Sequence, residues 1–445
     1  MVIPDLERYI DRELLLACIA AVTIELEEKR SWRLNPLLYL KSGFIGLDKA
    51  LSRGETGTEG ETGHCAEAGR GGEDSAGRLR AIPGLLRQAE QNIRTVPETW
   101  HDAALSMTGD CLEYLQTLKA TALGSTHGPG LDRAGNALLS LRRHLLGGVK
   151  QEPDGRFASS SFSSTLREHF HTQRSPDEIF DIGRAEWEEA RAALEEAARE
   201  SGYGSWHDLY ASYRPVEDGT VDLPALYREE SEKLVSFFRE RAFGWVEIQA
   251  SLRVVETPLY LRSVRGSASF SAAVDPGESD LFYITTITPG KEETRAHTAM
   301  RLHREYRFLA AHEGFPGHYL LDTVRRGLDN PVRRAFESPL FYEGWAYYAE
   351  SLLEEEGYVE DPLERVVHKK RKLWRAARCM IDAGLASGRI GLTEAVKLLQ
   401  EVGYTQGEAE ERVRRFRLNP GYQLCYSLGR YEIVRLRDRY GGTAG

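Results

Sequence analysis

Hydrophobic positions recur at helical spacing along most of the chain. Over residues 1–50, Leu6, Ile10 and Ile19, with Leu14 to Leu16 between them, fall into amphipathic stretches. The helical pattern resumes at about Leu79, restarts at Ile82-Pro83, and stops after Leu146 at Gly147-Gly148. Ser175-Pro176-Asp177-Glu178 forms a helix start: a capping Ser, Pro in the first turn, and Glu three residues after the Ser. That helix should run to about Glu200 and end at Ser201-Gly202, and another fits residues 223–241. The period then changes. Residues 251–261 and 281–288 are β-branched and aromatic, bounded by Pro and Gly, and read as strands. Between them, residues 266–273 are small and extended. After Pro289-Gly290 the helical pattern returns, with residues 295–311 as one helix buried along Ala299, Leu302, Tyr306, Leu309 and Ala310. The expected fold is mainly α, with a small antiparallel β-ribbon at about 251–288. Two helical lobes are expected, residues 1–150 and 151–445. Residues 53–78 are rich in Gly, Glu and Thr, lack aromatics, and should form a flexible surface insertion. His64 and Cys65 within it have no second metal-binding pair nearby.

Composition narrows the function classes. With 445 residues and 41% hydrophobic content the chain can bury a large core. A net charge of −10 offers no footprint for nucleic acid or an anionic membrane. The basic run from His368 to Lys372 is surrounded by acids and reads as a solvated helix face. Five cysteines are scattered singly, which fits a reducing compartment. The apolar run from Leu14 to Val22 is short and follows acidic residues, unlike a signal peptide. No stretch reaches the ~18–20 apolar residues of a membrane span. A soluble, cytoplasmic protein is expected.

The chemistry concentrates in His312-Glu313-Gly314-Phe315-Pro316-Gly317-His318. A His-Glu pair followed by a second His is a zinc-hydrolase pattern: two imidazoles hold the metal and the carboxylate activates water. On an unbroken helix a spacing of six turns the second ring by about 240° away from the first. Pro316 and Gly317 supply the break that would let both rings converge. A catalytic zinc needs a third protein ligand. Glu343, twenty-five residues after His318, can return on an antiparallel helix. Glu350, two turns further on, can accept a proton from a ligand imidazole and fix its tautomer. Glu313 is then the general base. Tyr422, Tyr426 and Arg430 share one helical face, with two phenol donors and a guanidinium. Other histidines, including His169, His171, His297 and His303, read as surface or structural.

Three segments carry a resemblance. His312 to Leu320, Phe341 to Glu350 and Pro420 to Arg430 are similar to the signature segments of the domain-of-unknown-function 885 family, and residues 35–39, 78–83 and 176–183 resemble further segments of it. That family resembles the gluzincins, such as carboxypeptidase Taq and angiotensin-converting enzyme. The resemblance implies a gluzincin-like helical fold and one zinc ion. It implies His312, His318 and Glu343 as ligands, Glu313 as base, and Tyr422, Tyr426 and Arg430 in the cleft. Dipeptidyl peptidase III is a parallel, since its motif also has extra residues between the histidines. Two departures stand out: Tyr319 occupies a position where many members have a second His, and residues 267–280 are poorer in Tyr and Gly. In gluzincins a strand beside the zinc helix pairs with the substrate backbone, a role residues 266–273 could fill.

The leading expectation is a zinc-dependent hydrolase of a short peptide or peptide-like amide, in which Tyr422 or Tyr426 donates to the oxyanion and Arg430 holds a substrate carboxylate. A metal-dependent tailoring enzyme of specialised metabolism is the alternative. A non-catalytic binding protein is the third.

Overall fold

The computed structural model describes residues 6–55, 68–154, 161–215, 222–266, 268–273, 278–286 and 292–441. Among the described residues, ten α-helices precede a three-stranded sheet: α1 (Leu6–Thr23), α2 (Ser31–Leu34), α3 (Pro36–Glu55), α4 (Ala68–Asn92), α5 (Glu98–Lys119), α6 (Ala122–Gly147), α7 (Phe162–Ser164), α8 (Pro176–Glu200), α9 (Trp206–Ser212) and α10 (Leu223–Arg241). Nine follow it: α11 (Glu292–Arg304), α12 (Tyr306–Glu313), α13 (His318–Arg326), α14 (Pro331–Ala335), α15 (Pro339–Glu355), α16 (Pro362–Ser387), α17 (Leu392–Glu401), α18 (Gln406–Arg417) and α19 (Cys425–Tyr440). The fold is mainly α. No described helix is long and apolar enough to cross a membrane.

Local signals explain several boundaries. Ser175 caps α8: its Oγ accepts the Glu178 N–H at 3.2 Å while the Glu178 carboxylate accepts the Ser175 N–H at 2.7 Å. Elsewhere tertiary packing overrides the local pattern. The helical run from Leu79 to Leu146 is three helices, and Pro83 lies inside α4 rather than restarting a helix. Leu79, Ile82 and Leu86 on that helix are all buried, and this packing outweighs the bond Pro83 cannot make. The expected insertion at 53–78 is helical at both ends, where α3 reaches Glu55 and α4 begins at Ala68. Residues 56–67, with His64 and Cys65, lie outside the described residues. The single helix expected at 295–311 is broken at Glu305, between α11 and α12.

Three hydrophobic clusters organise the described residues. One gathers α3 to α6 around Leu40, Phe44, Leu86 and Leu138, with Tyr260 and Leu261 inserted from the sheet region. A second lies between α8 and α16, around Trp187, Leu194, Leu373 and Ile381. The third, around Tyr227, Phe282, Phe308 and Phe315, underlies the His-Glu motif. A fully buried side chain such as Phe315 contributes about 1.5–3 kcal/mol, so this cluster anchors the motif from below.

Short strands β1 (Thr95–Pro97) and β2 (Lys150–Glu152) pair in parallel. The sheet near the motif has three strands, β3 (Leu252–Glu256), β4 (Ala268–Ser271) and β5 (Asp280–Ile284), in the order β3-β5-β4. It is mixed, where an antiparallel ribbon was expected. β4 runs antiparallel to β5, but β3 runs parallel to it, because the chain passes through the turn at Leu259–Leu261 and through β4 before entering the centre of the sheet. β4 is an edge strand and lies against α12.

The basic run at 368–372 also departs from expectation. His368, Arg371 and Lys372 are buried in α16. Each cation meets a carboxylate: Lys370 and Arg371 reach Glu305, Arg371 also reaches Glu350, and Lys372 reaches Glu189. Acids from neighbouring helices make this face buriable.

Candidate metal centre

The break in the motif is built from specific contacts. α12 ends when the Gly314 N–H bonds the Ala310 carbonyl at 2.8 Å. Residues 314–317 form a turn containing a cis Phe315-Pro316 peptide, and α13 begins at His318. The turn folds back so closely that a Cβ on Gly317 would lie 2.0 Å from the His312 carbonyl oxygen, which only glycine permits. Trp345 on α15 fixes it from outside, with Nε1 donating to the Pro316 carbonyl at 2.9 Å. The helix that brings Glu343 therefore also holds the turn in place.

The two imidazoles converge, with centroids 4.9 Å apart and planes at 80°. His312 Nε2 and His318 Nε2 lie 3.5 and 3.6 Å from Glu343 Oε2. One ligand atom from each of His312, His318 and Glu343 falls within a 4.8 Å group, and all three residues are buried. Glu350 lies beside the first imidazole: His312 Nδ1 donates to its Oε1 at 2.9 Å. That bond puts the proton of the neutral ring on Nδ1 and leaves the Nε2 lone pair facing Glu343.

This arrangement tests whether a cation fits. Glu343 is a buried carboxylate, and among the described residues it forms no ion pair with Lys or Arg. Its Oε2 faces two imidazole nitrogens at separations too long for good hydrogen bonds. Three acceptors turned toward one point need a shared proton or a shared cation. The donor set of two imidazoles and one carboxylate is that of catalytic zinc. Without a metal, burial opposes charge on His312, but Glu343 and Glu350 outweigh it and raise its pKa. Burial likewise opposes charge on Glu343, yet the two nearby imidazoles hold its pKa well below the usual range. The residues present fit a divalent ion.

The surroundings complete the site. The His318 ring stacks on Tyr342 at 4.0 Å and lies 6.3 Å from Phe270 of β4, so the edge strand reaches this imidazole. Tyr342 donates to Asp322 Oδ2 at 2.7 Å. Tyr319 faces elsewhere: it packs on Phe315 and donates to the Ala250 carbonyl at 2.7 Å. His318 is thus the residue of this pair beside Glu343. Glu313 is buried and, among the described residues, makes no hydrogen bond or ion pair; its charge acts on His312 and Tyr342.

Helix α19 packs against α15 through two glycines: a Cβ on Gly344 would lie 2.6 Å from Gly429 Cα. This close approach brings in the C-terminal tyrosines. Tyr422 donates to Glu343 Oε1 at 2.5 Å. The Tyr426 ring lies nearly parallel to His312, 6.3 Å away. Burial and the Glu343 charge push the Tyr426 hydroxyl up to about 12, and Tyr426 and burial raise Tyr422 well above its usual value, so both remain donors at neutral pH. Arg430 takes other partners. Its Nε donates to Ser351 Oγ at 3.2 Å, and Nη1 lies 3.6 Å from Glu186.

Several contributors escape sequence reasoning. Arg371 and Arg375 both bond Glu350, and Arg375 Nη2 also approaches His312 Nδ1 at 3.4 Å. Asp382 accepts backbone N–H groups from Gly421, Gln423 and Leu424 at 3.0, 2.8 and 3.2 Å, which shapes the loop carrying Tyr422. Burial raises its pKa to about 6, against the pull of those bonds. The signal was the spacing of Arg371, Arg375 and Arg378 at i, i+4 and i+7, which places them on one face of α16.

No curated protein matches the chain in sequence. Its fold resembles that of the "putative lipoprotein from Colwellia psychrerythraea", with a TM-score of 0.67 at 18% identity over 85% of this chain and 71% of that one. It also resembles a "putative lipoprotein of unknown function from Shewanella oneidensis", with a TM-score of 0.63 at 18% identity over 98% of this chain and 82% of that one. Likeness at this identity shows a shared fold. A family model described as a bacterial protein of unknown function (DUF885) matches residues 54–445, and the chain belongs to that family.

Proposed function

We propose that this protein is a zinc-dependent hydrolase of a short peptide or peptide-like amide. The observation that carries the reading is the convergence of His312, His318 and Glu343 within 4.8 Å, the buried carboxylate having no Lys or Arg ion-pair partner among the described residues. A zinc ion held there would supply Lewis acidity toward a carbonyl oxygen and would acidify water. Glu313, adjacent to His312 and free of hydrogen bonds and ion pairs among the described residues, takes the proton from the attacking water and passes it to the leaving amine. Tyr426 donates toward the oxyanion; Tyr422 first holds Glu343 in place. Glu350 keeps the His312 lone pair directed at the site. Residues 268–271 offer an edge for an extended substrate. The described cysteines, Cys18, Cys111, Cys379 and Cys425, are free thiols, which fits a reducing compartment.

The test is peptide hydrolysis by chelator-stripped protein, zinc-restored protein and Glu313→Gln. Zinc should restore activity, and Glu313→Gln should bind zinc normally while losing about 10²–10⁴ in kcat. Full activity in Glu313→Gln, or in the metal-free protein, contradicts the mechanism.

A further inference from the structure

Helix α16 carries three guanidiniums on one side, and the third is unlike the first two. Arg371 is fixed by Glu350 and Glu305, and Arg375 by Glu350. Arg378 forms no ion pair among the described residues. Its Nε donates to Gln423 Oε1 at 2.9 Å, and its Cζ stands 4.0 Å from the centroid of the Tyr426 ring. Trp374 and Phe416 lie 5.4 and 5.9 Å from the same carbon. The nearby carboxylates are engaged: Asp382 with three backbone N–H groups, Glu343 with Tyr422 and the two imidazoles.

The row continues away from the motif. Arg412 on α18 stacks at 5.4 Å from Trp374 and 4.3 Å from Tyr404. It too has no ion pair among the described residues, and its buried Nε lacks a hydrogen-bond partner. Stacking orients a guanidinium while leaving most of its in-plane N–H donors available, the geometry that grips a carboxylate in two-pronged fashion. In a chain with a net charge of −10, two such cations without acids mark a place for a negative group that arrives from outside.

Tyr426 links this wall to the motif, since its ring also lies 6.3 Å from His312. Arg378 is therefore within about 10 Å of the His312 ring, two to three extended residues at ~3.3–3.6 Å each. We propose that Arg378, backed by Arg412, is the carboxylate-binding group beside the candidate metal site, and that the substrate is a short peptide or acyl amino acid whose free carboxylate lies one or two residues beyond the bond that is cut. The assignment rests on the hydrolase reading for the position of that bond. It moves the carboxylate role from Arg430, which is engaged by Ser351 and Glu186, to a guanidinium beside the tyrosines.

The test uses N-acetyl-phenylalanyl-phenylalanine as the free acid and as its carboxamide. Binding to Glu313→Gln protein, which does not turn over, is measured by calorimetry with and without zinc. The acid should bind about tenfold to a hundredfold more tightly than the amide. Adding Arg378→Gln should abolish that preference and leave amide binding unchanged; Arg378→Lys should restore part of it, and Arg412→Gln should weaken it less. Thermal melting and zinc stoichiometry of each variant confirm an intact fold. Equal binding of acid and amide, equal weakening of both by Arg378→Gln, or binding of neither overturns the proposal. The two readings fail separately. Zinc binding without acid preference sinks the Arg378 assignment, whereas acid preference in a protein that takes up no zinc sinks the hydrolase reading and keeps Arg378 as an anion site.

Discussion

Two turns of α15 separate Glu343 from Glu350. Both carboxylates are buried, but their charges are balanced differently. Glu350 is fully enclosed and meets Arg371, Arg375 and the Nδ1–H of His312. Its counter-charges are part of the chain. Glu343 meets one phenol and two imidazole nitrogens, none a fixed cation. The first is an ion-pair network that holds His312 in orientation; the second, on the proposed reading, is a coordination site whose counter-charge would come from a bound cation. The comparison separates stability from metal binding, and the two carboxylates should respond oppositely to substitution.

The largest stability effect belongs to Glu350→Ala. It leaves two guanidiniums buried without their acid, and chemical denaturation should show a loss of about 3–5 kcal/mol. The pH dependence follows. Burial opposes the charge on Glu350, but Arg371 and Arg375 outweigh it and depress the folded pKa. Its stabilisation is therefore present above the ordinary carboxylate range and is lost as pH falls through the folded value. Glu350→Gln should be less stable than wild type at neutral pH, with the gap closing in acid. Glu343→Gln should act chiefly on metal binding. Zinc affinity should fall by more than the ~10–100-fold typical of an outer partner. Stability of the metal-free protein should fall less than in Glu350→Gln, since the imidazoles that hold the Glu343 pKa down are not fixed cations.

Smaller changes sharpen the contrast. Gly317→Ala forces a methyl against the His312 carbonyl and should cost about 1–3 kcal/mol while loosening zinc. Tyr422→Phe removes one hydrogen bond to Glu343 and should weaken zinc about tenfold, measured by chelator competition, with little change in melting.

The sequence carried much of this arrangement. The motif, its Pro316-Gly317 break, Glu343 and the relation of Glu350 to His312 follow from spacing and ligand chemistry. The boundaries of α8 and α10 follow from capping and periodicity. Long-range pairing was not legible. The exposed reading of His368 to Lys372 failed because charge alone does not reveal that Glu305, Glu350 and Glu189 approach from other helices. Arg430 and Arg378 look alike in sequence, and only packing shows that one faces Glu186 while the other faces the tyrosines. The sheet's parallel pair depends on a crossover that strand propensity cannot supply. Trp345 reads as an ordinary helix aromatic until its indole is seen on the Pro316 carbonyl.

X-ray absorption at the zinc edge tests the central claim most directly. Protein stripped of metal and given one equivalent of zinc should show two imidazole nitrogens and carboxylate oxygen at ~2.0–2.2 Å, and Glu343→Gln should lose the carboxylate contribution. Sulfur ligation, a spectrum of hydrated zinc, or a spectrum unaltered by Glu343→Gln would contradict the account.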